Sequence, residues 1–179
     1  MKKLTLLRHA KSGWDDPVSR DFDRPLNPRG KRAAETMGRW FRTHDIEFDK
    51  VVGSPAVRVV ETVEHVGAGY AETIVPEWDS RIYLASAASL LDVIHETSDE
   101  VDTLLLVGHN PGIEDLVLML VPQVANDVLR DEVAEKYPTA SVAEISLPVD
   151  HWRDVKAGEG RLEFFKRPRD IDPSLGPED

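Results

Sequence analysis

The sequence predicts an α/β fold, a three-layer α/β/α sandwich around a central, mostly parallel sheet. Short apolar runs alternate with segments of helical periodicity along most of the 179 residues, which is typical of β-α-β units. A content of 41% hydrophobic and 31% charged residues is that of a globular domain with a buried core. The length suits one domain, which we assign to residues 1–166.

Six short runs rich in branched apolar residues are the predicted strands. They cover residues 3–8, 49–53, 73–76, 103–107, 141–147 and 161–166. The first four alternate with predicted helices, as parallel strands do, whereas the last two follow one another and could add antiparallel strands at one edge.

Four segments with helical periodicity lie between these strands. They cover residues 29–43, 56–66, 86–97 and 112–120. Ser54-Pro55 and Asn110-Pro111 each place a capping residue before a proline, which is the usual start of a helix. Two of the four helices are therefore predicted to begin directly after a strand.

A loop is predicted for residues 10–28, which are rich in Asp, Pro and Gly. Long ordered loops in small domains commonly carry function. Within or beside this loop, Arg24 and Arg29 could reach an anionic ligand, or they could form ion pairs with Asp21 or Asp23.

Two further segments carry no recognisable motif. Residues 122–138 are polar and are predicted to form a helical insertion. Residues 167–179 have the polar, Pro-rich composition of a flexible C-terminal tail.

The charge balance bears on the kind of partner. With 22 basic and 33 acidic residues the net charge is −11, so the surface as a whole repels a polyphosphate backbone and nucleic-acid binding is not expected. An anionic ligand would have to be attracted locally, by a few converging arginines.

The sequence also limits compartment and chemistry. No run approaches the ~18 apolar residues of a membrane span, and the short apolar run after Met1 is too brief for a signal peptide, so a cytoplasmic protein without membrane contact is expected. The absence of cysteine excludes disulfides, thiolate catalysis and zinc–cysteine sites. A monomer is the expected state.

Cationic and imidazole side chains follow three of the predicted strands. Arg8 and His9 come directly after the first strand, and His109 follows the fourth. Arg58 lies in the first turn of the helix after the second strand, where free amide groups already attract anions. Because parallel strands end at one edge of a sheet, these groups should meet in one pocket, and they suit phosphoryl chemistry.

Three segments carry a resemblance to a known family. Residues 6–14, Leu-Leu-Arg-His-Ala-Lys-Ser-Gly-Trp, resemble the Arg-His signature of the histidine phosphatase superfamily, also called phosphoglycerate-mutase-like. Residues 53–58, Gly-Ser-Pro-Ala-Val-Arg, resemble its second arginine motif, and residues 107–112, Val-Gly-His-Asn-Pro-Gly, its second histidine motif. Residues 23–30 are similar to the small SixA-type branch of phosphohistidine phosphatases. The motifs agree in order across residues 3–120.

The resemblance implies a phosphatase that uses no metal and no cofactor. His9 would be the nucleophile that forms a phosphohistidine, later hydrolysed by water. Arg8, Arg58 and His109 would surround the phosphoryl oxygens and stabilise the charge of the transition state. The implied substrate is a protein phosphohistidine or a small phosphorylated metabolite.

The family pattern also implies substrate contacts and shows two departures. Ser12 and Asn110 match positions that would bind substrate. Ala10 stands where many members have glycine, and Asp15 stands where many have an asparagine that touches phosphate. A carboxylate at that position repels phosphate, so the contact is not carried over to Asp15.

The general acid and the reaction type have alternatives. The family acid is usually a glutamate after the third strand, and of Glu77 and Asp79 we choose Asp79. A mutase would return the phosphoryl group to another hydroxyl of the substrate, and it would need extra basic residues for a bound carboxylate. A non-catalytic module would bind phosphorylated partners without hydrolysing them.

Overall fold

Six strands and six helices make up the part of the chain that the computed structural model describes, residues 1–13 and 20–176. The strands are β1 (Lys2–Arg8), β2 (Lys50–Gly53), β3 (Glu77–Trp78), β4 (Thr103–Gly108), β5 (Val142–Leu147) and β6 (Arg161–Lys166). The helices are α1 (Pro28–Thr43), α2 (Val57–Tyr70), α3 (Ala87–His95), α4 (Gly112–Leu120), α5 (Val128–Glu135) and α6 (Pro168–Ile171). Within these described residues, no helix has both the length and the apolar character needed to cross a membrane.

The strands form one sheet in the order β3-β2-β4-β1-β5-β6. β1 to β4 are mutually parallel where they pair, and β5 and β6 are antiparallel additions next to β1. Arg8 of β1 lies opposite Gly108 of β4, and Gly53 of β2 lies opposite Val107. The residues that follow these three strands therefore meet at one edge. The predicted mostly parallel α/β sheet is confirmed.

Apolar side chains cover both faces of the sheet, which is why the central strands are apolar throughout. In β1, Leu4 and Leu6 point into a cluster with α3 and α4, while Leu7 joins a second cluster with α1 and α2. All three leucines are almost fully buried. The two clusters hold the strands rigidly, and they fix the backbone from which Arg8 and His9 project.

The start of α1 fixes the segment just beyond His9. The Asn27 side chain accepts a hydrogen bond from the Gly30 amide at 2.7 Å, which caps the helix. A Cβ atom on Gly30 would lie 2.1 Å from the Lys11 carbonyl oxygen, so only glycine allows this approach. The Asn27 amide in turn donates to the same Lys11 oxygen at 3.0 Å.

The third strand lies further along the chain than predicted. It comprises Glu77 and Trp78, which pair with β2, and not residues 73–76. Pro76 has no amide hydrogen for a strand ladder, and the preceding Val75 is 84% exposed. The apolar composition of 73–76 therefore misled the strand prediction.

The end of the described chain differs from the flexible tail predicted from composition. α6 is followed by a 3₁₀ turn, Pro173–Leu175, and Leu175 is buried in the cluster formed by α1 and α2. The Arg167 side chain donates to Asp170 at 2.9 Å and holds the first turn of α6. Ile171 and Leu175 pack against this cluster and thereby hold the otherwise polar segment on the fold. The predicted helix of the 122–138 insertion is found as α5.

Candidate active site

The four predicted pocket residues lie together at the carboxyl edge of the sheet. They are Arg8, His9, Arg58 and His109. The ring centroids of His9 and His109 are 5.3 Å apart. One Arg58 nitrogen, Nη2, lies 3.4 Å from His109 Nδ1. His9, Arg58 and His109 are buried. The positive charge of Arg8 lies close enough to lower the pKa of both histidines. The structure thus builds one pocket from three distant parts of the chain.

His9 is held in one tautomer. Its Nδ1 lies 2.8 Å from the Ala10 carbonyl oxygen, and a carbonyl can only accept, so Nδ1 carries the proton. Burial lowers the pKa of His9 to about 3, and the charge of Arg8 acts in the same direction. Nε2 therefore presents an unprotonated lone pair at neutral pH, as a nucleophile requires.

The backbone around His9 is fixed on both sides. The His9 amide donates to the Gly108 carbonyl at 3.0 Å, and the Ala140 amide donates to the His9 carbonyl at 3.0 Å. The Ala10 amide donates to Thr62 Oγ1 at 2.9 Å, and that hydroxyl donates to the Arg58 carbonyl at 2.6 Å. Thr62 therefore ties the nucleophile segment to the helical turn that carries Arg58.

Arg8 has a buried donor with no partner among the described residues. Its Nη1 donates to the Tyr137 carbonyl at 2.8 Å, while its buried Nε makes no hydrogen bond within the described residues. Burial lowers the pKa of Arg8, and the nearby carboxylate of Glu114 opposes that shift. Buried N–H groups are nearly always paired, so this one marks where an anionic ligand atom would bind.

Arg58 is clamped by Asp21 from the long loop. Its Nη1 donates to the Asp21 carbonyl at 2.8 Å, and its Nη2 donates to Asp21 Oδ2 at 3.0 Å. Tyr83 and Arg24 also donate to the Asp21 carboxylate, at 2.8 and 3.0 Å. Burial acts to raise the pKa of Asp21, but these hydrogen bonds outweigh it and lower the pKa to about 2. Arg24 thus pairs with Asp21, one of the two partners considered from the sequence.

His109 is also neutral. Arg58 can only donate, so His109 Nδ1 accepts from it, and Nε2 donates to Ser54 Oγ at 2.9 Å. Burial lowers the pKa of His109 to about 4, and the Arg58 charge adds to the shift. Ser54 was predicted as a helix cap, but α2 begins after Ala56 without a side-chain cap, and Ser54 instead orients His109.

Asp79, the residue expected to act as general acid, is bound by Arg81. Its carboxylate accepts from the Arg81 amide at 3.0 Å and forms an ion pair with Arg81 at 2.8 Å. The hydrogen bond from Arg81 lowers the pKa of Asp79, which disfavours the protonated form that a general acid needs, and the role of Asp79 stays a prediction. The other candidate, Glu77, is exposed and paired with Lys50.

The two predicted substrate-binding residues differ in their surroundings. The Asn110 amide donates to the Tyr137 carbonyl at 3.2 Å, and its oxygen accepts from the Glu114 amide at 3.2 Å. Asn110 therefore shapes the start of α4, and its contact with substrate stays a prediction. Ser12 has a buried Oγ with no partner among the described residues, so it can still reach a ligand.

Part of the predicted loop lies outside the described residues. Trp14 and Asp15 belong to residues 14–19, which lie outside the described residues. Across residues 1–13 and 20–176, no three His, Asp or Glu side chains are grouped so that they could hold a metal ion.

Sequence reasoning missed several residues that shape the pocket. Ser54 could have been found, because it follows a parallel strand just as His9 and His109 do. Asp21, Tyr83 and Tyr137 carried no comparable signal, since they reach the pocket from segments far away along the chain.

The comparisons with known proteins agree with this geometry. Residues 4–81 match the family model of the histidine phosphatase superfamily, branch 1. An uncharacterised protein of Mycobacterium tuberculosis is 36% identical over 91% of this chain and 100% of its own length. The phosphohistidine phosphatase SixA of Escherichia coli is 24% identical over 81% of this chain and 85% of its own.

A solved structure extends the likeness to the whole fold. A protein of Nakamurella multipartitia, assigned as a phosphohistidine phosphatase SixA, is 27% identical. It superposes with a TM-score of 0.79 over 93% of this chain and 96% of its own. The chain belongs to the histidine phosphatase superfamily, and its likeness within that superfamily is to the SixA-type members.

Proposed function

We propose that this protein is a metal-independent phosphatase that forms a covalent phosphohistidine on His9, with protein phosphohistidine as the favoured substrate and a small phosphorylated metabolite as the other. The observation that carries the proposal is the pairing of a neutral, tautomer-fixed His9 with the unpartnered Nε donor of Arg8. One group supplies the attacking lone pair, and the other supplies a hydrogen bond for the charge that moves.

In the first step, the lone pair on His9 Nε2 forms a bond to phosphorus as the bond to the leaving group breaks. The leaving atom keeps the bonding electrons, Arg8 and Arg58 stabilise the equatorial oxygens, and His109 adds a donor by turning its Nε2–H from Ser54 to the phosphoryl group. In the second step, a water oxygen attacks the same phosphorus, the P–N bond breaks, and the electrons return to His9. Neutral His9 and inorganic phosphate are the products, and both protons of the water leave with the phosphate as dihydrogen phosphate.

The environment of Asp79 favours a phosphohistidine substrate over an alkyl phosphate. An alkoxide leaving group needs a proton from an acid, and Asp79 is held ionised by Arg81. A phosphohistidine whose ring is already protonated leaves as neutral imidazole and needs no such acid. The active site therefore suits the substrate that carries its own proton.

The Asp21→Asn variant is expected to bind inorganic phosphate about fivefold more tightly. A carboxylate bound to Arg58 repels an anion held by the same guanidinium, and removing one such charge near a protein surface is worth about 1 kcal/mol. The measurement is the competitive inhibition constant of phosphate at pH 7. Asp23→Asn is the matched control, because Asp23 pairs with Arg20 in the same loop. An unchanged or higher constant in Asp21→Asn contradicts this effect.

The proposal is tested by trapping the intermediate. The protein is mixed with a radiolabelled aryl phosphate, quenched in alkali within milliseconds, and digested to locate the label. Acid-labile, alkali-stable phosphate is expected on His9 in the parent and in the control His65→Ala, and none is expected in His9→Ala. Hydrolysis at the parent rate by His9→Ala would overturn the mechanism. A phosphohistidine peptide is expected to be hydrolysed faster than its phosphoserine counterpart.

A further inference from the structure

A short segment after β3 packs against the segment that carries His109. The Tyr83 ring lies edge-on to the His109 ring, with the two ring centroids 5.4 Å apart. Two residues further on, the Ala85 carbonyl oxygen approaches Gly112 so closely that a Cβ atom there would overlap it. Residues 83–85 therefore lie along the His109 segment and form one side of the catalytic pocket.

Leu84, the residue after Tyr83, is exposed and has a costly backbone conformation. It is 58% exposed, although leucine is among the residues most often buried. Its φ is 50°, in the left-handed region where a Cβ atom crowds the following carbonyl oxygen. Neither property stabilises the fold. Strained residues at the edge of a catalytic pocket commonly serve its function, so Leu84 is a candidate for contact with substrate.

The direction of attack places the leaving group at the mouth of the catalytic pocket. In-line transfer puts the leaving atom on the side of phosphorus opposite to the attacking nitrogen. His9 is only 9% exposed and lies at the floor of the pocket, so the leaving group must point outward. Among the residues that border the pocket, Asp21 and Leu84 are exposed and Tyr83 is half-buried. A leaving group that points outward would meet these residues.

Phe22 adds a second aromatic ring to the mouth of the pocket. Its ring is edge-on to the Tyr83 ring, with the centroids 5.1 Å apart. The Arg20 guanidinium lies over the Phe22 ring, with Cζ 5.9 Å from the centroid. A guanidinium is a planar cation, and the face of an aromatic ring attracts cations. The mouth of the pocket therefore offers apolar surface together with ring faces that favour positive charge.

Asp21 supplies a negative charge at the same place. Its Oδ2 accepts hydrogen bonds from Arg58 and Tyr83, and its Oδ1 accepts one from Arg24. A carboxylate has about four acceptor positions, so one position on Oδ1 has no donor among the described residues. The pKa of Asp21 is about 2, so the carboxylate is ionised at neutral pH. A cationic group at the mouth of the pocket would thus find a partner.

We infer that a leaving-group subsite at this mouth binds a planar ring that carries a positive charge. The subsite is formed by Asp21, Phe22, Tyr83 and Leu84. The inference rests on the proposed function and specifies the chemistry of its leaving group. The apolar side chains would cover the faces and edge of the ring, and the Asp21 carboxylate would face its charge. The protonated imidazole of a phosphohistidine has this shape and charge, whereas an alkyl leaving group has neither.

The test uses three phosphonates, whose P–C bond resists hydrolysis, so that binding is measured without turnover. In place of the leaving group they carry a methyl group, a 4-methylphenyl ring or an N-methylpyridinium-4-yl ring. The two rings have the same shape and differ by one positive charge. Dissociation constants are measured by calorimetry at a pH where every phosphonate group is fully ionised. In the parent, the neutral ring should bind about tenfold more tightly than methyl, which corresponds to about 1.4 kcal/mol. The cationic ring should bind about fivefold more tightly than the neutral ring.

Two variants separate the apolar contact from the charge, and ratios of dissociation constants cancel any effect on the shared phosphonate group. Leu84→Asn should fold as stably as the parent, because asparagine adopts the left-handed conformation more readily, yet its preference for the neutral ring over methyl should fall to about threefold. Leu84→Met should keep the tenfold preference. Asp21→Asn should also keep it, and should bring the preference for the cationic ring down to about one.

The matched controls remove the same kinds of side chain elsewhere. Val75→Asn replaces an apolar residue before β3 that is 84% exposed, and Asp23→Asn replaces a carboxylate of the loop that carries Asp21. Both should keep the parent ratios. The inference is wrong if Leu84→Asn keeps the full preference for the neutral ring, or if Asp21→Asn keeps the full preference for the cationic one. A parent that binds all three phosphonates equally also contradicts it.

Since these ligands are not hydrolysed, the result is independent of the trapping experiment on His9. If the parent traps no phosphate on His9 but shows both preferences, and the two variants remove them, the proposed function fails and the leaving-group subsite stands. If the parent forms the phosphohistidine but binds the three phosphonates equally, the leaving-group subsite fails and the proposed function stands.

Discussion

Replacing Arg8 by methionine is expected to lower kcat/KM for an aryl phosphate by about 10²- to 10³-fold, equivalent to about 2.7–4 kcal/mol of transition-state stabilisation. Arg8 presents a buried Nε with no partner among residues 1–13 and 20–176, so we expect its hydrogen bond to go to the ligand. Methionine keeps much of the length of the side chain, and the Tyr137 carbonyl still receives the Asn110 amide. The loss should therefore report on catalysis and not on folding.

Two further variants make this result specific. Arg8→Lys keeps the charge but lacks the planar fork, so it should recover less than a tenth of the parent activity. Arg161→Met removes an arginine whose side chain is 83% exposed on β6, and it should leave kcat/KM unchanged. The measurement is steady-state kinetics at pH 7, with thermal unfolding to show that each variant folds. A fall of less than fivefold in Arg8→Met would remove Arg8 from the catalytic group.

The catalytic pocket could be predicted from sequence because its main residues carry a local signal. Arg8, His9 and His109 each follow an apolar run, and Arg58 follows a strand, a serine and a proline. Local sequence identifies such strand ends, and parallel topology then brings them to one edge without further information. Fold and pocket were thus inferred from one pattern.

The residues that tune the pocket could not be predicted in the same way. Asp21 meets Arg58 across 37 positions, and Tyr137 meets Arg8 across 129. Such contacts depend on how loops fold back over the sheet edge, and composition does not specify that path. The surroundings of Asp79 could not be predicted for a related reason: its position after β3 matched a family pattern, while Arg81 two residues later forms an ion pair that favours the ionised carboxylate.

The burial that keeps His9 unprotonated also makes the stability of the protein sensitive to acid. The folded state holds the pKa of His9 at about 3 and that of His109 at about 4, whereas both titrate near 6.5 in an unfolded chain. Below pH 6.5 the unfolded state therefore takes up protons that the folded state refuses. The free energy of unfolding should fall by about 1.4 kcal/mol per pH unit for each histidine, or about 2 kcal/mol each at pH 5 relative to pH 7.

The pH range distinguishes this effect from that of the carboxylates. The stabilising shift of Asp21 is lost only as the pH falls from about 4 toward 2, because its folded pKa is the lower one. Between pH 6.5 and 4.5 the downward slope thus belongs to His9 and His109, and the raised pKa values of Glu114 and Glu144 oppose it toward the acidic end of the range. The measurement is urea unfolding of the parent, His9→Ala and His109→Ala at half-unit steps. Each replacement should reduce the slope by about 1.4 kcal/mol per pH unit.

The control is a variant that destabilises the fold without removing an ionisable group. Val59→Ala removes buried apolar volume from α2, so it should lower stability at every pH and leave the slope unchanged. If His9→Ala leaves the slope of unfolding free energy against pH unchanged, as Val59→Ala should, then His9 in the folded protein takes up a proton near the pH at which an unfolded histidine does. His9 would then be largely protonated below pH 6.5 and could not attack phosphorus there. An attacking His9 needs its lone pair, so the pH dependence of stability and the fall of kcat/KM at acid pH must agree. If the free energy of unfolding changes little with pH, kcat/KM should fall near pH 6.5. If it changes steeply, kcat/KM should persist toward pH 5.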